Sequence, residues 1–127
     1  MAHHRIIGLK AIFLLLNLCF LQASFGEDIQ LGKTIYSQCV ACHSLETNLQ
    51  QIGPSLSGVV NRKIGSVADY RYSNSLRNST GVWSPERLNA FLENPQAALP
   101  GNRMPYSGLT NPTERAALIA YLATIKP

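Results

Sequence analysis

The feature that most constrains this chain is the pentapeptide Cys39-Val40-Ala41-Cys42-His43. Two thiols three residues apart, followed at once by an imidazole, form the signature of covalent haem attachment, in which each sulfur adds across one vinyl group and the histidine takes the iron. Three other chemistries could use part of this pattern. A structural zinc site needs about four nitrogen or sulfur ligands, yet beyond residue 26 the only cysteines are Cys39 and Cys42 and the only histidine is His43, one short of that set. A thioredoxin-like dithiol needs strand runs around it, whereas these flanks read as helix and as glycine and proline loops. A plain disulfide has no use for His43.

The first 26 residues read as a secretory signal rather than as part of the fold. Arg5 and Lys10 make a positive start, Ala11 to Leu21 is an apolar run of 11 residues, and Ser24-Phe25-Gly26 supplies small residues for a peptidase, so cleavage is expected before Glu27. An uncleaved anchor would need roughly 20 apolar residues, and Asn17 interrupts this shorter run. Cys19 lacks the small neighbour expected of a lipidation site. Export to the periplasm follows, and there a haem would consume both thiols that an oxidising compartment would otherwise pair.

What remains, residues 27–127, is 101 residues and a single small domain, in which a bound cofactor can supply a large share of the core. Nine basic and seven acidic side chains from Glu27 onward leave a net charge of +2, lower than the +4 of the whole chain. These charges are scattered, with no basic stripe for nucleic acid and little steering toward an acidic partner.

No strand-like alternation and no internal repeat is present, so the expected class is all-α, with three to five helices and long loops around one haem. From Glu27 to Gln38, Ile29, Gly32, Ile35 and Tyr36 recur at helical spacing, and this helix is expected to run directly into the haem motif. Gly32 would let a second helix approach closely. Residues 44–81 are rich in Gly, Ser, Asn and Pro, and a loop of that length in a compact domain is expected to wrap something. Ser84-Pro85-Glu86 starts a helix with the stripe Leu88, Phe91 and Leu92, and Pro95 is expected to end it. The segment from Gln96 to Thr110 is expected to hold no regular element. Asn111-Pro112-Thr113-Glu114 opens the last helix, whose stripe of Ala117, Leu118, Tyr121, Leu122 and Ile125 should cross the Gly32 face.

A haem iron held by His43 can stay open or take a second protein ligand. The only methionine after Met1 is Met104, on a proline-bounded loop rather than a helix stripe. A thioether there suits a six-coordinate electron carrier and raises the reduction potential relative to nitrogen ligation. The alternative reading of a lone methionine as core filler fits that loop poorly.

Taken together, these motifs resemble those of class I c-type cytochromes of the mitochondrial and photosynthetic-bacterial type. The resemblance runs from Gly32 to Leu122 and rests on Cys39 to His43, Gly53-Pro54, Arg62-Lys63, Tyr72, Trp83, Phe91 to Pro95, Pro100 to Met104, and Thr113-Glu114-Arg115 leading to Tyr121-Leu122. It implies the small cytochrome c fold with crossing terminal helices, one haem c held by Cys39 and Cys42, and axial ligation by His43 and Met104. It further implies that the carbonyl of Pro54 accepts from His43, and that Arg62, Tyr72 and Trp83 bond or screen a haem propionate. Tyr106 is implied beside the exposed haem edge, and Asn102 falls in the same hydrogen-bonded surround.

This sequence departs from the family pattern in two places. Phe91 stands where mitochondrial proteins carry a tyrosine, and Leu76 and Asn102 replace an asparagine and a threonine of that network, so an altered potential is expected. Gln38, Gln96 and Ala97 replace lysines around the haem edge, so recognition by a lysine ring is not expected.

The expected function is electron carriage without catalysis. Expected partners are membrane redox complexes, such as a cytochrome bc complex and a terminal oxidase, or a periplasmic dehydrogenase, with the chain monomeric or in a hetero-complex. The competing readings are a cytochrome held permanently as a subunit of such a dehydrogenase, and an open-site haem peroxidase or ligand-binding protein, which would need a vacant iron position.

Overall fold

A computed structural model describes residues 28–127, and the expected signal segment lies outside the described residues. Five helical segments follow in order: α1 (residues 28–36), α2 (Asn74–Arg77), α3 (Pro85–Glu93), α4 (Pro95–Ala98) and α5 (Pro112–Thr124). The one β pairing among the described residues is an isolated antiparallel bridge between Lys63 and Val82. The architecture is the expected all-α one.

α1 and α5 meet at Gly32. A Cβ built there would overlap the carbonyl oxygen of Ala117 and lie 2.6 Å from Cβ of Tyr121, so any side chain would push the helices apart. The Tyr36 and Tyr121 rings stand 5.9 Å apart at 50° beside this crossing. Ile35 and Tyr36 of α1, Leu88 and Leu92 of α3, and Leu118, Ile119 and Leu122 of α5 form one buried cluster. Burying each such aliphatic side chain stabilises the fold by about 1.5–3 kcal/mol before entropy is counted.

α1 ends at residue 36, short of the haem motif, because the chain tightens there. Ser37, Gln38 and Cys39 each donate their N–H three residues back, to Thr34, Ile35 and Tyr36 at 2.8–3.2 Å. Such bonds satisfy the carbonyls that a helix end leaves free. His43 N–H then reaches Cys39 O at 2.9 Å, which closes the motif into a turn.

Three helices begin with the same device, a polar cap followed by proline. Ser84 Oγ accepts from Arg87 N–H at 3.3 Å, and Asn111 Oδ1 accepts from Thr113 and Glu114 N–H at 2.9 and 3.4 Å. Asn94-Pro95 works the same way, with Asn94 Oδ1 accepting from Ala97 N–H at 3.0 Å. Asn94 is thus the C-cap of α3 and the N-cap of α4. The expectation that Gln96 to Thr110 holds no regular element is therefore corrected for residues 96–98. Pro95 stops one helix and starts a single turn of another. Residues 44–81 are the expected long loop, interrupted only by the four residues of α2.

Candidate haem site

A cavity of about 550 Å³ opens between the haem motif, the long loop, α3, α5 and the segment around Met104. Nine of the ten expected site residues line it: Cys39, Cys42, His43, Pro54, Arg62, Tyr72, Trp83, Met104 and Tyr106. Its apolar walls include Leu88, Phe91 and Leu92 from α3 and Leu118 and Leu122 from α5. Among the described residues, no group of three or more His, Cys, Asp or Glu side chains could hold a metal ion.

His43 is 9% exposed, and its Nδ1 lies 2.7 Å from the carbonyl oxygen of Pro54. A carbonyl can only accept, so Nδ1 carries the proton and Nε2 keeps a free lone pair. Burial pushes the imidazole below its ordinary range; the Pro54 carbonyl works against that shift and the Arg62 charge adds to it. The ring is therefore held neutral, in the form that ligates iron. Gly53 makes this approach possible, since a Cβ there would come within 2.6 Å of Nδ1 and nearer still to Cε1. Gly53 N–H also donates to Cys42 O at 2.7 Å, and the buried Tyr36 hydroxyl donates to His43 O at 2.6 Å. Tyr36 reads in the sequence only as part of a helix stripe, so its hydroxyl role goes unseen there.

The two cysteines are half-buried and unpaired. Burial, and then the neighbouring Cys42, push the Cys39 thiol up, which keeps its sulfur neutral.

Arg62 provides a test of fit for the haem at another part of the wall. Its Nη1 donates to Ser57 O at 2.7 Å and its Nη2 to Ser55 O at 2.9 Å, while its Nε is buried with no partner. Burial presses its pKa down. The only ion pair among the described residues joins Arg115 to Glu93, so no carboxylate of the described protein answers this cation. A buried N–H without an acceptor is costly, and Arg62 stands in the cavity wall, where a haem propionate would supply the missing counter-charge. The Tyr72 hydroxyl accepts from Val67 N–H at 3.3 Å and retains its own proton to donate. Trp83 packs its ring 4.9 Å from that of Phe91. Ser55 and Ser57 take part through main-chain carbonyls, which leave no side-chain signature in the sequence.

Met104 is half-buried on the cavity wall, and Tyr106 donates its hydroxyl to Gln38 Oε1 at 3.3 Å. Asn102 is the one expected site residue that does not line the cavity. It is buried behind the wall, and its carboxamide bonds the loop itself.

An all-α domain with a haem motif turned into an apolar cavity, a neutral imidazole, a thioether and an unanswered cation defines a haem protein. Residues 29–126 match the family model for cytochrome c. The chain is 40% identical to a cytochrome c of Euglena viridis over 78% of this chain and 98% of that one. It is 38% identical to a cytochrome c2 of Agrobacterium tumefaciens over 79% and 96% of the two chains. The solved structure of cytochrome cH from Methylobacterium extorquens superposes with a TM-score of 0.70 at 32% identity, covering 75% of this chain and 96% of that one. The chain belongs to the cytochrome c family. It carries one covalently attached haem c and transfers single electrons. No helix among the described residues is long and apolar enough to cross a membrane.

Proposed function

We propose that the protein is exported to the periplasm and carries electrons with His43 and Met104 as the two axial ligands and Cys39 and Cys42 as the thioether anchors. When bound, the haem supplies an iron that gains and loses one electron. The chain's own part is to keep both ligands in place, so that little reorganises on transfer. Pro54 and Gly53 orient His43, Tyr36 ties down its carbonyl, and Arg62 with Tyr72 receives a propionate. The apolar walls from α3 and α5 exclude water. The observation that carries this reading is that one cavity holds a neutral imidazole with Nε2 free and the only methionine after Met1.

Membrane redox complexes, such as a cytochrome bc complex and a terminal oxidase, or a periplasmic dehydrogenase are the proposed partners. The exposed part of the cavity rim is mixed, with Ile52 at 73% exposure beside Gln38, Arg71, Arg103 and Pro105. Export is supported by the charged start and apolar run of the first 26 residues.

The oxidised protein should show the weak far-red sulfur-to-iron band, and Met104→Ala should abolish it and let carbon monoxide bind the reduced form at neutral pH. A band that survives Met104→Ala removes Met104 from the iron.

A further inference from the structure

Asn102 is two residues from Met104 and only 6% exposed, yet it faces the loop rather than the cavity. Its side-chain amide donates one proton to Pro95 O and the other to Leu99 O, both at 2.8 Å. Its Oδ1 accepts from Met104 N–H at 3.0 Å. The partners fix this orientation, because carbonyls only accept and an N–H only donates. The backbone of Asn102 is engaged as well: its N–H donates to Leu99 O at 3.2 Å, and its carbonyl accepts from Gln96 Nε2 at 3.1 Å. One side chain thus joins the first residue of α4, the C-cap of α4 and the main chain of Met104.

We propose that Asn102 is a positioning residue for Met104, a three-point tie that sets how readily the methionine sulfur leaves the iron. This rests on the reading of Met104 as the axial ligand. Residues 99–111 form no regular element, so no helix ladder holds the backbone at Met104. The buried amide of Asn102 does so, since its Oδ1 accepts from Met104 N–H. The far end of the segment is tied separately: Leu109 N–H donates to Leu92 O at 2.8 Å, and Arg115 donates to Leu109 O and Thr110 O, also at 2.8 Å. Between these anchors, the Asn102 bond to Met104 N–H fixes the direction in which the chain enters the ligand position. Cutting it strips Met104 N–H of its acceptor, while Pro95 O and Leu99 O each keep one main-chain donor, and the segment gains freedom to swing.

Stopped-flow carbon monoxide binding to the reduced holoprotein tests this, together with the far-red band and the reduction potential. Asn102→Leu, which removes all three bonds at similar volume, should speed binding about tenfold, weaken the band and lower the potential. Asn102→Ser, which keeps one donor and one acceptor, should fall between that variant and the parent. Ile119→Ala, a core truncation away from the cavity wall, serves as the control for general destabilisation and should leave the binding rate and the band unchanged. Should Asn102→Leu not fold, Asn102→Ser carries the test alone. Parent-like rates in the Asn102 variants, or equal acceleration in Ile119→Ala, would overturn the proposal. Met104→Ala keeps the two readings apart: a band that survives it defeats the ligand assignment, whereas a band lost in Met104→Ala but intact in Asn102→Leu defeats the positioning role alone.

Discussion

The crossing of α1 and α5 and the cradle around the cavity are built on opposite terms. At the crossing the protein closes on itself: Gly32 brings two backbones into contact, and the clustered side chains of α1, α3 and α5 fill the space beside it. In the cradle the protein stops short. About 550 Å³ stays open, and Arg62, whose buried Nε has no acceptor, stands in its wall. The core is therefore completed partly by the chain's own side chains and partly by the haem.

The largest consequence concerns the haem-free chain. Cys39→Ala/Cys42→Ala, which cannot attach the group, should lack a cooperative thermal transition by circular dichroism. The crossing alone leaves the cavity walls exposed to water in a domain of about 100 residues, and small domains have little surplus stability. A sharp haem-free transition would mean that the crossing holds the fold by itself, and the contrast between the two regions would collapse.

A pair of glycine substitutions separates the regions at the next level. Gly32→Ala should cost about 1–3 kcal/mol, read as a lowered Tm with an unaltered haem spectrum, because only helices are pushed apart. Gly53→Ala drives its new methyl into the His43 ring and should change the spectrum as well as the stability. Equal spectral changes in both would show that the crossing and the iron site are not mechanically distinct.

The same contrast explains which parts were legible in the sequence. The helices of the crossing announce themselves by period and by cap-plus-proline starts, because local hydrogen bonding and burial act on neighbouring residues. α4 is hidden for a related reason: Pro95 reads as a stop, and only the geometry at Asn94 reveals that it also restarts the chain. In the cradle, residue identity identified His43, Met104 and the cysteines as candidates, since few side chains ligate iron. It did not give direction. Asn102 falls at a haem-contacting position by resemblance, yet its amide turns into the loop, because three main-chain partners lie there. Arg115 enters the sequence reading only within the Thr113-Glu114-Arg115 motif, yet it is 5% exposed and bonds two carbonyls, Asn89 and Glu93. Contacts made through main-chain carbonyls, as by Ser55 and Ser57 to Arg62, have no side-chain code to read.

The smallest expected effect sharpens the cradle side most. Arg62→Gln keeps a hydrogen-bond donor but removes the cation, so a propionate resting there should hold its proton to higher pH. Losing positive charge beside the iron also favours the oxidised state, and the potential should fall by some tens of millivolts, about 60 mV corresponding to a tenfold change for one electron. The sign with pH follows from the same charge. A deprotonated propionate stabilises oxidised iron, so the potential falls as pH rises through the propionate titration, and raising that pKa moves the fall to higher pH. Voltammetry of parent and variant across pH 5 to 9 would show this displacement. If the two curves coincide, the buried N–H of Arg62 is not met by a propionate, and the cradle is closed by something other than the charge that its unanswered cation implies.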